Sequence, residues 1–151
     1  MAMIRNIKKL NARLLFTLIF MSNPTLGDSQ PILAKIQMTI NQQIVIIDLY
    51  DNSASREFLM ILPLSLTFTD FAHSEKIAYL PKPLTTTDMA NTLIKTGDFT
   101  YYAPWGNVAL FYQGMGNHSQ LYPLGTITKG KNILANLHSN FMATIEQINP
   151  K

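Results

Sequence analysis

The sequence contains no cysteine, which excludes several classes of site at once. Without a thiol there is no disulfide, no thiol nucleophile, no zinc–cysteine centre and no lipid-modified cysteine. The three histidines have neither His-x-His nor His-x-x-x-His spacing, so no metal site is predicted. A Gly-x-Ser-x-Gly elbow and a glycine-rich phosphate loop are also absent. Catalytic residues therefore stay unassigned, and no cofactor is predicted.

No apolar run approaches the roughly 20 residues that a membrane-spanning helix needs. Residues 14–21 form a short apolar core that follows a cationic start without acidic residues, namely Arg5, Lys8, Lys9 and Arg13. Thr25 and Gly27 have the −3 and −1 spacing of a cleavage site. We interpret residues 1–27 as a signal peptide and residues 28–151 as one domain, exported to the periplasm or secreted. An uncleaved membrane anchor and an amphipathic N-terminal helix are the alternatives.

Little positive charge remains once this leader is removed. Four of the 12 basic residues and none of the nine acidic residues precede residue 28, so the remainder has 8 basic and 9 acidic side chains and a net charge of −1. The high pI of the whole chain therefore belongs to the leader. A basic surface for nucleic acid is not expected, and no membrane span is expected after leader removal.

Alternation of apolar and polar side chains predicts a mainly β domain. Strands are expected at residues 35–40, 44–50, 64–69, 77–80 and 121–128, the last of these being the final strand. Two more are expected on either side of a turn at 103–106. The strand at 44–50 is apolar enough to be buried on both faces. Residues 85–96 and 114–119 are expected to be loops. Because most strands have one apolar face, the pattern favours a closed barrel, which also leaves no exposed sheet edge.

Two helices are expected to cover the open ends of this barrel. The first begins at a cap from Asn52 or Ser53 and ends at Pro63. The second is predicted after a cap at Thr128, because apolar residues recur there at intervals of three or four. These residues are Leu134, Leu137, Phe141, Ile145 and Ile148.

The most distinctive segment is the aromatic hairpin at residues 97–112, which contains the only Trp and three of the six Tyr. Pro104 fixes φ in its turn, and Gly106 can take a positive φ. The specific part is Tyr-Tyr-Ala-Pro-Trp-Gly-Asn at 101–107, accompanied by segments 51–58, 74–81 and 124–127. In this order the four segments resemble the bacterial cyclophilin-like fold family, small barrel domains of unknown function. The resemblance implies a closed eight-stranded β-barrel with two helices, and it carries no established catalytic residues.

Aromatic side chains are the main candidates for a binding site, because Tyr and Trp combine an apolar body with a polar tip. The alternative is that alternate members of the set pack the barrel core, and Tyr101 and Tyr102 must point to opposite faces. Trp105 lies in a turn and is expected to be partly exposed, with Tyr79 and Tyr112 as neighbours. The predicted ligand-binding residues are Tyr79, Tyr102, Trp105, Tyr112 and Glu75.

The pair Glu75–Lys76 next to His73 has two interpretations. It is either an acid–base group or a solvated turn with one charge pair between neighbours, and the second is favoured.

The favoured function is an exported, non-enzymatic barrel that binds a small apolar molecule or a peptide at an aromatic cleft near Trp105. The alternative is a peptidyl-prolyl cis-trans isomerase or another enzyme with unrecognised residues. Isomerisation needs an apolar pocket and a fixed donor, normally an Arg on a barrel strand. The one Arg after the leader is Arg56, which falls in the first predicted helix. A domain that docks onto another exported protein is the third hypothesis.

Overall fold

The computed structural model describes residues 29–90, 93–118 and 120–149, so the predicted signal peptide lies outside it. In this part of the chain the elements follow one another as β1 (Ile32–Ile40), β2 (Gln43–Tyr50), α1 (Ser53–Met60), β3 (Leu64–Phe71), β4 (Glu75–Tyr79), β5 (Leu93–Ile94), β6 (Asp98–Tyr102), β7 (Asn107–Phe111), β8 (Gly116–Asn117), β9 (Leu121–Lys129), α2 (Lys131–Ala135) and β10 (Phe141–Gln147).

Eight of the strands form a closed barrel in the order β1-β10-β3-β4-β7-β6-β9-β2, and each neighbouring pair is antiparallel. This confirms the predicted fold class. The alternation in β1 shows why these residues form a barrel, since Ile36, Met38 and Ile40 are fully buried in its interior. β5 and β8 pair separately as a small two-stranded sheet. None of the helices in the described ranges is long and apolar enough to cross a membrane.

The two helices lie at opposite ends of the barrel. α1 follows β2, and α2 follows β9, which runs antiparallel to β2 with Leu49 opposite Gly125. Asn52 is the cap of α1, because its side chain accepts a hydrogen bond from the Ser55 amide at 2.8 Å. Phe58 of α1 is buried against Phe99 of β6, with ring centroids 5.3 Å apart. Each helix therefore contributes side chains to the barrel core.

The long C-terminal helix predicted from the sequence was wrong. α2 ends at Ala135, and the chain then forms β10, which lies between β1 and β3. Thr128 belongs to β9, and the cap of α2 is Gly130 with a φ of 87°. Phe141 and Ile145 are buried and four residues apart, a spacing that fits one face of a helix and one face of a strand equally well.

Three smaller expectations also need correction. β2 is not buried on both faces: its residues alternate, and Ile44 is exposed, because β-branched side chains also suit the outer face of a sheet. The two predicted loops each contain a strand, β5 and β8 respectively. These strands were missed because two residues are too few to show a period.

Candidate functional site

A second hydrophobic cluster lies on the outer face of the barrel. Buried residues of β4, β5, β7 and β9 meet there, with Ile94 of the small sheet packed against the barrel strands. Its members are Ile77, Ile94, Ala109, Phe111 and Leu121, with Tyr102 packed against them. All five residues of β7 are consequently buried, although only one face of the strand looks into the barrel.

A cavity of about 250 Å³ opens beside this cluster. It is lined by Phe71, Glu75, Ile77, Tyr102, Trp105, Asn107, Met115, His118 and Leu121. The volume exceeds the roughly 150 Å³ that is enough to hold a benzene molecule in a protein interior. Most of the lining is apolar or aromatic, with a few polar groups among it, which is the usual composition of a small-molecule site.

Aromatic rings in edge-to-face contact form one side of the cavity. The Trp105 ring lies 5.4 Å from the Phe71 ring and 5.4 Å from the Tyr102 ring, between centroids. His118 continues the series, with its ring 5.6 Å from that of Tyr102. Trp105 is 48% exposed, which confirms the expected partial exposure, and Gly106 has the expected positive φ of 65°. The turn therefore holds a large aromatic side chain at the mouth of the cavity.

Glu75 is the acidic group of the cavity, and its side chain is almost completely buried. Removal from water raises the pKa of Glu75 to about 7, because burial disfavours the charged form of a carboxyl. Burial is the cause of this shift. The site thus contains a carboxyl that is largely neutral at mildly acidic pH and that ionises near neutrality.

Asn107 is the second buried polar group in the lining. It lies at the start of β7, and only 1% of it is exposed. Its Oδ1 atom has no hydrogen-bond partner among the described residues. Buried polar atoms in folded proteins nearly always have one, so an unpaired acceptor at a cavity points to a missing donor.

The favoured interpretation of Glu75–Lys76 as a solvated turn was wrong. Both residues are buried in β4, and alternation sends them to opposite faces, Glu75 to the outer cavity and Lys76 to the barrel interior. The Lys76 Nζ atom donates to Asp70 at 2.7 Å and to the Leu137 carbonyl. Tyr112 donates to the same Asp70 carboxylate at 2.7 Å. The lysine charge is therefore engaged on the other side of the sheet.

The same interior cluster shifts the pKa of its members. The hydrogen bond from Lys76 is the largest cause of a lowered pKa of Asp70. Burial and then the Asp70 carboxylate raise the pKa of Tyr112 to about 12. The His73 side chain is fully exposed, with its Nδ1 atom 3.5 Å from Asp70. The cavity carboxyl Glu75 takes no part in this cluster, so the sequence-based acid–base group of His73, Glu75 and Lys76 is not assembled.

The structure brings together three of the five predicted binding residues. Glu75, Tyr102 and Trp105 line the cavity. Tyr79 shares the outer face of β4 but is 61% exposed beyond the cavity, and Tyr112 belongs to the interior cluster with Asp70. Tyr101 is buried in the core, where its hydroxyl accepts from the Leu84 amide, so Tyr101 and Tyr102 do face opposite sides.

Sequence reasoning missed Phe71, Asn107 and Met115 as parts of the cavity. Phe71 ends β3 and pairs directly with Glu75, so the strand register brings it to the site. The sequence pattern could have indicated Asn107, because it is a polar residue at the start of an otherwise apolar strand. Met115 lies in the segment before β8 and has no such signal.

The fold and the cavity together define a small closed β-barrel with an aromatic site on its outer face. The chain belongs to the cyclophilin-like family, which it matches over residues 38–146. The structure is similar to the solution structure of the hypothetical protein AF2241 from Archaeoglobus fulgidus, with a TM-score of 0.58 and 15% sequence identity over 82% of this chain and 100% of that one. At this identity the likeness concerns the fold alone. None of the curated proteins matches the chain.

Proposed function

We propose that this protein is an exported binding protein that holds a small, mainly apolar molecule in the cavity beneath Trp105. The observation that carries the proposal is the combination of a ring-lined cavity with two buried polar groups, Glu75 and Asn107. A mainly apolar pocket with a few fixed polar groups is the common form of a small-molecule site, because the apolar part supplies affinity and the polar part orientation.

The proposed occupant is a small molecule rather than a long peptide. The cavity volume of about 250 Å³ suits one ring with a short substituent. The β5–β8 sheet next to the cavity also limits its extent, because Ile94 of β5 is packed into the outer cluster. A peptide would use the site only through one inserted side chain.

Prolyl isomerase remains the alternative function, and the described residues give it little support. Arg56 lies in α1, where it forms an ion pair with Asp51 at 2.5 Å. None of the cavity residues is Arg or Lys, so the cavity lacks the cationic donor that would hydrogen-bond a proline amide. Glu75 and His118 both line the cavity, and burial is the cause of the raised pKa of Glu75. We therefore favour binding over acid–base catalysis.

Export is tested by the N-terminus of the protein in its own cells. The cationic start, the short apolar core and the Thr25/Gly27 spacing lead us to expect removal of residues 1–27. Sequencing of envelope-fraction protein should then begin near Asp28. Finding Met1 or Ala2 as the first residue of that fraction would contradict cleavage.

Ligand capture is tested by substituting Trp105 with Ala. Native mass spectrometry of protein purified from its own envelope should show a small-molecule adduct, which Trp105→Ala should lose. The variant should lose only about 2 kcal/mol of unfolding free energy, because the ring is half exposed and gives up two aromatic contacts of about 0.5–1.5 kcal/mol each. Full burial would instead cost about 3–5 kcal/mol.

Tyr79→Ala is the matched control, because this aromatic residue lies on the same outer face but outside the cavity. It should retain the adduct. An adduct that survives Trp105→Ala would contradict the proposed site, and an adduct with the mass of a protein would favour the docking hypothesis. Acrylamide quenching of the single Trp gives an independent check, and strong quenching is expected in the native state.

A further inference from the structure

Two buried polar groups, Glu75 and Asn107, present hydrogen-bond acceptors to the cavity. Glu75 offers two acceptor oxygens once it is ionised, and Asn107 offers an Oδ1 atom that has no donor among the described residues. The lining contains neither Lys nor Arg. A ligand that carries a hydrogen-bond donor and a positive charge would supply what these groups lack.

The aromatic rings add to the same preference. Phe71, Trp105 and Tyr102 are held in edge-to-face contact around the cavity. Ring faces carry negative quadrupole density and attract cations, most strongly in Trp. The one cation next to Glu75 in sequence, Lys76, points to the opposite face of β4 and is engaged by Asp70. No lysine from this strand can therefore neutralise the cavity carboxyl.

We propose that the ligand is an organic cation, a protonated amine on an aromatic or aliphatic body, whose ammonium group pairs with Glu75 beneath the rings of Phe71 and Trp105. This inference rests on the proposed function, because it assigns a ligand class to the same cavity. The ammonium donates to the carboxylate, and the rings next to it stabilise the charge.

The strand register indicates how such a ligand lies. Glu75 is opposite Phe111, whereas Asn107 is opposite Tyr79, so the two polar groups are separated by four residues, or about 13 Å along the strands. Ile77 lies between them on the same face. The apolar body of the ligand therefore rests on Ile77 and against Trp105, with the ammonium at the Glu75 end. A second donor at the far end of a longer ligand would reach Asn107.

Binding of an amine is coupled to the ionisation of Glu75. The other titratable groups that line the cavity are Tyr102 and His118. Below about pH 7 the empty site holds a proton on Glu75, and that proton leaves when the ammonium binds. Amine affinity should therefore rise with pH up to about 7 and then level off, provided that the ligand itself stays protonated.

Three probes with one phenyl body and different charges test the inference, namely 2-phenylethylamine, 2-phenylethanol and phenylacetate. Titration calorimetry at pH 8 on the wild-type protein should give an affinity for the amine at least about tenfold above that for the alcohol, and phenylacetate should bind most weakly. In Glu75→Gln the affinity for the amine should fall to the affinity for the alcohol. In Tyr79→Ala the order of the three affinities should not change.

Proton release is a separate test of the pairing with Glu75. At pH 6, binding heats measured in two buffers of different ionisation enthalpy should show proton release for the amine alone.

The outcomes separate this inference from the function on which it rests. Equal affinities for the amine and the alcohol would overturn the proposal that the ligand is a cation, but would leave the proposed binding function intact. Tighter binding of phenylacetate would overturn it in favour of an anion. A protein that binds none of the three probes at millimolar concentration would count against both the cation and the small-molecule cavity.

Discussion

Glu75→Gln is expected to make the protein more stable than the wild type at pH 8 by about 2 kcal/mol, whereas the two should be nearly equal at pH 4.5. The reason is that a buried glutamine amide resembles the neutral carboxylic acid in size and polarity. The wild-type protein must instead hold a charged carboxylate in a cavity whose lining contains neither lysine nor arginine.

Wild-type stability falls as the pH rises because the pKa of Glu75 is higher in the folded protein than in the unfolded chain. In the unfolded chain the carboxyl loses its proton near pH 4.5, but in the folded protein burial raises its pKa to about 7. Below the unfolded pKa both states are protonated, and the stabilising contribution is fully present. As the pH rises the unfolded state ionises first, so stability falls until the folded carboxyl also ionises.

Urea unfolding of both proteins at several pH values between 4.5 and 8.5 measures this effect. The quantity to compare is the difference between the two unfolding free energies, because ionisable groups common to both proteins, such as Asp98, then cancel. A difference that stays constant over this range would show that Glu75 titrates normally and is solvated. Phe71→Ala, which opens the lining beside Glu75, should reduce the pH dependence.

Gly125→Ala is expected to destabilise the barrel by about 3 kcal/mol or more, at the upper end of what an added methyl group usually costs. A Cβ atom at this position would lie 2.2 Å from the Asp48 carbonyl oxygen and 3.1 Å from the Leu49 Cα atom. These are backbone atoms of β2, which cannot rotate away as a side chain can. The substitution must therefore separate β2 from β9, and the barrel depends on that pairing for closure.

Gly114→Ala is the control for this substitution. Its nearest contact would be the Ile94 carbonyl oxygen at 3.2 Å, and it lies outside the barrel strands. Chemical denaturation monitored by circular dichroism should show a much smaller loss for Gly114→Ala. Equal losses for the two variants would mean that β2 and β9 can move apart without a loss of stability, and would overturn this prediction.

The alternation of apolar and polar side chains predicted most of the barrel correctly, because every second residue of a barrel strand points into the apolar interior. Ile36, Met38 and Ile40 are recognisable as a buried strand face from their spacing alone. The C-terminal segment failed because Phe141 and Ile145 satisfy two periods at once, and only the gap between β1 and β3 decides between them. Such a gap is a property of the whole sheet, so a short stretch of sequence does not indicate it.

The candidate site was predicted in part for a similar reason. Trp105 stands out as the single Trp in a turn, and Tyr102 follows from alternation against Tyr101. Phe71 lies more than thirty residues from Trp105 in sequence, and only the pairing of β3, β4 and β7 brings their rings together. Tyr112 was misplaced because a one-residue difference along the strand sends its side chain to the other face.

The position of β10 in the barrel has a consequence for how the chain folds. β10 fills the place between β1 and β3, so the ring of strands stays open until residues 141–147 have been synthesised. Until then β1 and β3 each present an unpaired edge, and the contacts that close the ring join distant parts of the sequence. A chain emerging from the ribosome therefore cannot complete its core early. For a protein that is exported, as we propose, this delay would keep the polypeptide unfolded while it crosses the membrane.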